Sequence, residues 1–460
     1  MQAVLLIDFG STFTKLTLAD VSERKIIASA QSFTTAQTDI MQGFQNALEI
    51  LQNQTGDVSK VKRLACSSAA GGLRMLASGL VPSLTSKAAK LAAFGAGAKV
   101  LKTYAYELTD DDIKEIDSIN PEIFLLTGGT DGGNYKVIEA NAKKIARCEK
   151  PFPVVVAGNR SAGKNCAQSI ESALHPVFLT ENVMPELNRL NIAPAQDIIR
   201  QIFLERIISG KGLSREKALI DGILMPTPAS VLSALTLLSE GTKEIKGLGE
   251  LVCIDLGGAT TDVYSIAKGY PSLPSVTLHG LQEPYAKRSV EGDIGMRYSA
   301  RGIVEAAGIE ALADLAGVTE KEVEDYLEIL GQDKSFLPKN PKEHMLEEAL
   351  AALAIRTALI RHSGEIQRVF TPSGAVFKQQ GKDLSTVNTV ILTGGALVHT
   401  DKGQKILDMA VSNVDESCLI PRHAKAIIDT KYILSAMGLL ATYDRDAACA
   451  IMKDNIGGGL

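Results

Sequence analysis

Hydrophobic residues cluster along this chain in short runs of Val, Ile and Leu: Val4 to Ile7, Ile123 to Thr127, Val154 to Ala157, Leu251 to Ile254 and Val387 to Thr393. Their length and β-branched content predict strands buried on both faces. Between them lie Ala/Leu/Glu/Lys segments of helical period, among them Ile40 to Gln54, Thr319 to Leu330 and Glu343 to His362. This alternation predicts an α/β chain with largely parallel sheets. Two stretches rich in turn-forming residues, Gly269 to Pro284 and Gly374 to Lys382, predict connections or hairpins. The opening run of about five apolar residues stops at Asp8, which predicts a strand rather than a secretory leader. Later apolar stretches meet a charge, as Arg356 does within Leu346 to Ile360, before the ~20 residues that a membrane span needs. The expectation is a cytoplasmic protein with no membrane partner.

Two strand ends resemble each other. Ile7-Asp8-Phe9-Gly10-Ser11-Thr12-Phe13-Thr14-Lys15 aligns with Ile254-Asp255-Leu256-Gly257-Gly258-Ala259-Thr260-Thr261-Asp262, sharing Ile, Asp, Gly and Thr in register. Further along each half, Leu126-Thr127-Gly128-Gly129-Thr130 aligns with Leu392-Thr393-Gly394-Gly395-Ala396. The same order in both halves predicts two homologous half-folds facing each other across a cleft, with the Leu-Thr-Gly-Gly elements at corresponding points.

Composition bounds the reading. With 460 residues, 45% of them hydrophobic and 22% charged, the chain can bury a large core and build two or three domains. The repeat sharpens this to a first lobe over 1–245 with an insert and a second lobe over 246–430 with a helical insert at about 300–370. A connecting helix over 431–460 then returns to the first lobe. Lys plus Arg number 48 against 53 Asp plus Glu, and no basic block interrupts the balance, so a nucleic-acid partner is not expected. The six cysteines form no Cys-x-x-Cys pair, and the six histidines form no His-x-x-x-His, so no protein-ligated transition metal is expected and a reducing compartment is.

The chemistry follows from the hairpins. A strand ending in Asp puts a carboxylate at the mouth of the sheet, and the glycine after it lets backbone N–H groups approach a polyanion. Ser11, Thr12 and Thr14 add hydroxyls and Lys15 a point charge; Gly257, Gly258, Thr260 and Thr261 repeat the arrangement. Two such hairpins on opposite walls can hold the β,γ-phosphates of ATP, with Asp8 and Asp255 facing Mg²⁺ through its waters. Gly394, Gly395 and Ala396 leave room for a base or ribose. No Walker-type Gly-x-x-x-x-Gly-Lys-Ser/Thr and no strand-end Gly-x-Gly-x-x-Gly occurs.

These elements resemble the phosphate-1, phosphate-2 and adenosine motifs of the superfamily of actin, the heat-shock 70-type chaperones and the sugar kinases. That resemblance implies two duplicated ribonuclease-H-like domains around a nucleotide cleft, joined by two connector helices. Met225 to Ala229 resembles the first connector and Ser435 to Leu439 the second. Lys15 resembles the phosphate-contacting lysine of actin's first hairpin. Finer matches, at Asp8 to Lys15, Ser67 to Leu73, Leu126 to Asn134, Lys287 to Arg297 and Thr393 to His399, resemble the glutamate mutase (methylaspartate mutase) accessory family, called MutL in clostridia. The family implies an ATP-dependent reactivating chaperone, the partner being an adenosylcobalamin-dependent mutase; a homodimer is left open. The corrinoid signature Asp-x-His-x-x-Gly is absent, so any cobalamin belongs to the partner.

Met225 replaces the carboxylate that the heat-shock chaperones place before the first connector, which leaves Asp255, assisted by Asp8, to orient the attacking water. Asp262 reads as a hairpin cap or a cleft carboxylate, and Glu291 and Asp293 as helix caps or nucleotide-facing groups. Asp131 reads as part of a turn or of the cleft, and His399 as structural or nucleotide-bonding. Two other functions fit the same fold: a small-molecule kinase or hydantoinase/oxoprolinase-type ATP-coupled enzyme, and an iron–sulfur activator, for which Cys66, Cys148 and Cys166 lack a suitable arrangement.

Overall fold

A computed structural model describes residues 2–10, 12–34, 40–68, 73–210, 223–372 and 374–456, without side-chain detail at 206–210 and 223. In chain order the first lobe begins with strands β1 (Ala3–Phe9), β2 (Phe13–Asp20) and β3 (Lys25–Phe33). Helix α1 (Ile40–Thr55) follows, then β4 (Lys62–Ser67). An inserted unit comes next, with strands β5 (Arg74–Gly79), β6 (Lys99–Ala105), β7 (Ile123–Leu126), β8 (Val154–Val156) and β9 (Val177–Leu179). Its helices are α2 (Lys87–Gly95), α3 (Asp110–Ile119), α4 (Lys136–Ile145) and α5 (Gly163–Glu171). Helix α6 (Ala193–Gly210) leads back to β10 (Ile223–Pro226) and helix α7 (Thr227–Glu240).

The second lobe holds β11 (Leu251–Leu256), β12 (Thr261–Ile266), β13 (Val276–Leu278) and β14 (Ala286–Glu291). Four helices follow: α8 (Ala300–Ala307), α9 (Ile309–Ala316), α10 (Glu320–Gln332) and α11 (Pro341–His362). The hairpin β15 (Glu365–Thr371) and β16 (Gly374–Gln380) pairs with β13, and the lobe closes with β17 (Thr389–Thr393), α12 (Gly403–Val411) and β18 (Lys425–Ile428). Helices α13 (Leu434–Leu440) and α14 (Arg445–Asn455) end the described chain.

Strand order reveals the duplication. The first sheet runs β3-β2-β1-β4-β10 and the second β14-β12-β11-β17-β18. Renumbered within each lobe, both read 3-2-1-4-5, with strand 2 antiparallel to strand 1 and strand 4 parallel to it. Each is a ribonuclease-H-like sheet, and the expected fold class holds. Each fifth strand feeds a helix, α7 or α13, and these two helices pack together around small residues. A Cβ added at Gly438 would collide with Ser230 O, and Ser230 Oγ donates to Ser435 O at 2.7 Å. Their apolar faces form one buried cluster with Val4, Leu6, Cys253 and Ile391, so one core spans both sheets.

One correspondence is corrected. Leu126 ends β7, which lies in the inserted sheet, ordered β6-β5-β7-β8-β9, and not in either ribonuclease-H-like sheet. The strand equivalent to β17 is β4: Asp8 pairs with Cys66 as Asp255 pairs with Thr393. Gly128 and Gly129 therefore serve a separate doubly wound unit, where Asp131 accepts from Arg160 N and Asn182 Nδ2, both at 3.0 Å.

Candidate functional site

Both hairpins close in the same way. Gly10 N donates to Phe13 O at 3.1 Å, and Gly257 N donates to Thr260 O at 3.0 Å. A Cβ at Gly10 would strike Phe13 O, so that turn needs a bare backbone, and one at Gly257 would press on Thr260 O at 3.0 Å. The register places Lys15 opposite Asp8 and Asp262 opposite Asp255.

Asp8 is buried and doubly tied. Thr227 Oγ1, at the start of α7, donates to its Oδ1 at 2.7 Å; Ser435 Oγ, on α13, donates to its Oδ2 at 2.8 Å. Cys66 Sγ lies 3.5 Å from Oδ1. The carboxylate thus joins β1 to both α7 and α13. Asp255 differs, because none of the described side chains donates to it. Burial, then the facing Asp262 carboxylate, push its carboxyl up to about 7, with Lys15 opposing. Asp429, just past β18, is fully buried and accepts from Ile433 N (3.0 Å), Leu434 N (3.4 Å) and Thr393 Oγ1 (3.2 Å).

Lys15 unites these groups. Its Nζ stands 3.1 Å above the Tyr432 ring. Burial lowers its ammonium from the usual range, and Asp8, Asp255 and Asp429 oppose that lowering. Carboxylates from both lobes therefore share one cleft floor with one lysine among them.

Gly394 has φ +98, and a Cβ there would collide with Leu256 and come within 2.7 Å of Asp255 Oδ1. Only glycine lets this loop cross so closely over the catalytic candidate. At Gly395 no heavy atom lies within 4 Å of the Cβ position, so space opens beside the loop, and Ala396 is half-buried behind it.

The other expected residues divide. Thr12 is exposed, while Thr260 and Gly258 are half-buried at the turn. Ser11 lies outside the described residues. Thr14 and Thr261 occupy equivalent positions and are both fully buried. Thr14 Oγ1 bonds Thr34 Oγ1 at 3.0 Å and Thr261 Oγ1 donates to Ile294 O at 2.9 Å. Strand alternation turns these two hydroxyls into the lobes, so their expected phosphate contact is corrected to a structural one.

The Lys287–Arg297 element braces the second hairpin. Met296 N donates to Gly257 O at 3.0 Å and Arg297 N to Gly258 O at 2.8 Å. Glu291 and Asp293 both face Arg361, at 2.6 and 3.5 Å. Asp262 is neither cap nor free cleft group: Arg288 Nε and Nη2 hold its Oδ1 at 2.7 and 2.6 Å. Asp429, Tyr432 and Thr227 were missed as site residues, and Arg288 as the partner of Asp262. The one available signal was the buried Asp after a Val/Ile/Leu-type strand at Ala426 to Ile428, which repeats the strand–Asp pattern.

Among the described residues no three His, Cys, Asp or Glu side chains form a metal-holding group. The donor set still suits a hydrated Mg²⁺. Asp8, Asp255 and Asp429 outnumber Lys15, and Asp255 is a half-buried carboxylate to which none of the described side chains donates, so a nearby cation would favour its ionised form.

A family profile described as "MutL protein" matches residues 4–456. The chain belongs to the MutL protein family. "Protein MutL" of Clostridium tetanomorphum is 48% identical over 460 residues, spanning 98% of this MutL-family chain and 99% of that protein. Among solved structures, a glycerol dehydratase reactivase is 12% identical with a TM-score of 0.37, covering 96% of this chain and 99% of that one. Xylulose kinase from Bifidobacterium adolescentis is 13% identical with a TM-score of 0.34, covering 97% and 92%. These superpositions are loose; the fold of this MutL-family chain is defined by the repeated strand order of its own two sheets. Among its described residues no helix is long and apolar enough to cross a membrane.

Proposed function

We propose that the chain binds Mg-ATP between its two hairpins, hydrolyses it slowly, and uses the resulting lobe movement to reactivate an adenosylcobalamin-dependent mutase of the glutamate mutase type. The observation that supports this most is the fastening of Asp8. A cleft carboxylate bonded to a hydroxyl on each connector helix makes the geometry of the phosphate site depend on the hinge between the lobes. Bound Mg-ATP would bring a cation to the carboxylate-rich cleft floor and supply the phosphoryl group to be cleaved.

This chain's residues do the remainder. The N–H groups of the hairpin turns face the phosphates, Lys15 neutralises charge, and Gly394 to Ala396 leave room for the base and ribose. Asp255, kept ionised by the cation, orients the attacking water and can accept its proton. Hydrolysis without a second, well-placed base is slow, which suits a switch. Met225, in place of a carboxylate at the first connector, fits that slow rate.

Reactivation has a physical rationale. A mutase that loses its adenosyl group retains an inactive corrinoid, and release requires the mutase to open. A clamp that binds the open form more tightly in one nucleotide state shifts that equilibrium. The test is capture of purified mutase subunits by the tagged full-length protein. Retention with ADP and release with ATP is the expected result. Equal capture in both states, or stimulation of ADP formation by a small metabolite in a manner indifferent to any mutase, would overturn the proposal.

A further inference from the structure

The first half of the Lys287–Arg297 element does something other than brace the hairpin. It lies on β14, at the edge of the second lobe's sheet, against α2 of the inserted unit. Arg288 is 5% exposed. While Nε and Nη2 hold Asp262, Nη1 donates to Phe94 O at 3.1 Å and lies 3.5 Å from Ala98 O. One guanidinium therefore satisfies a carboxylate of β12 and two carbonyls at the C-terminal end of α2, where a cation is favoured. Beside it, Glu283 bridges Lys87 of α2 at 2.7 Å and Lys287 of β14 at 2.6 Å. These two polar ties hold the inserted unit against the second lobe.

Asp262 links the first tie to the Asp255 hairpin. It faces Asp255 directly across the β11–β12 pair and is the equivalent of Lys15 in the other hairpin. With no cation in the cleft, an ionised Asp255 repels Asp262; a cation at Asp255 relieves that repulsion. The hold of Asp262 on Arg288 then changes with occupancy of the cleft, and Arg288 passes the change to α2. The second tie, through Lys87, has no such connection to the cleft.

We propose that Arg288 is a positioning residue that couples nucleotide occupancy at the Asp255 hairpin, through Asp262, to the seating of the inserted unit (73–180) on the second lobe. This rests on the ATP-binding reading above. Coupling of this kind requires two arrangements with different contacts, and here the difference is whether the Phe94 and Ala98 carbonyls meet Arg288 or water.

Hydrogen exchange on the full-length protein, with and without Mg-ATP or Mg-ADP, tests it. Nucleotide binding is titrated in the same samples with a fluorescent ATP analogue. In the wild type, nucleotide should change amide protection over residues 94–99 by ~5–150-fold. Arg288→Met should remove that change while the analogue still binds saturably. Should Arg288→Met fail to fold, Arg288→Lys, which keeps the charge but loses the fork, should show a reduced response. Lys87→Met, which removes only the neighbouring tie, should keep the response. A wild type that binds nucleotide with no change at 94–99, or an Arg288 variant with an unaltered response, would overturn the coupling. A wild type that binds no nucleotide would instead sink the ATP reading.

Discussion

The two strand–Asp–Gly hairpins share a backbone and differ in charge. Gly10 and Gly257 make the same turn hydrogen bond, Thr14 and Thr261 bury equivalent hydroxyls, and Asp8 and Asp255 end equivalent strands. Opposite the Asp, however, one hairpin has Lys15 and the other Asp262. Asp8 gains a cationic neighbour and two hydroxyl donors from the connector helices. Asp255 gains a like charge, no side-chain donor among the described residues, and a carboxyl pushed up to about 7. The frame is repeated, and the difference at one position per hairpin accompanies one carboxylate fastened by two hydroxyls and another to which none of the described side chains donates.

That contrast can be broken by making the same change on each side. The largest expected effect is on turnover. Asp255→Asn should lower ATP hydrolysis by ~10²–10⁴-fold while nucleotide still binds, read as ADP release beside analogue binding. Wild-type turnover in this variant would remove Asp255 from the chemistry. Next in size is Asp262→Asn, which leaves the buried Arg288 guanidinium without its counter-charge. It should cost ~3–5 kcal/mol in denaturant unfolding, because a buried charge stripped of its partner is strongly penalised. A loss below about 1 kcal/mol would show that water reaches Arg288 freely.

Asp8→Asn should be milder and of a different kind. The amide can satisfy only part of what Thr227 and Ser435 require, so stability should fall by ~1–3 kcal/mol. Double-mutant cycles with Thr227→Val and Ser435→Ala should show coupling, and strict additivity would argue that the ties do not hold the hinge together.

The pH dependence of the nucleotide-free protein examines the contrast from the side of Asp255. Asp255 has its folded pKa raised to about 7, above the unfolded value, so the native state binds the extra proton between them. Its contribution to stability is fully present below the unfolded pKa and is lost as pH rises toward and through 7. The difference in unfolding free energy between wild type and Asp255→Asn should therefore slope across roughly pH 4–7 and level off above. A flat difference curve would contradict the raised pKa.

Much of this was legible in the sequence because it is local. A strand, an Asp, a glycine and hydroxyls at fixed spacing specify a hairpin, and meeting that pattern twice specifies two lobes. The failures have physical causes. Leu126 to Gly129 matched Leu392 to Gly395 because any parallel strand passing into a tight loop favours the same residues; the inserted doubly wound sheet supplies one such strand. The true counterpart of β17, β4, ends in Cys66-Ser67 and shares no such motif. Thr14 and Thr261 were expected in the cleft because spacing alone does not reveal which strand face a hydroxyl takes. The fastening of Asp8 by Ser435 spans 427 residues, and Lys15 meets Tyr432 across a similar separation. Contacts of that range arise only once both connector helices have crossed.

The central claim is that the paired hairpins hold Mg-ATP over Asp255. Isothermal titration of the full-length wild type with ATP, in the presence of Mg²⁺ and of a chelator, tests this most directly. The account predicts saturable binding of one nucleotide per chain, markedly strengthened by Mg²⁺ and followed by slow release of ADP. Absence of binding, or binding indifferent to Mg²⁺, would contradict it.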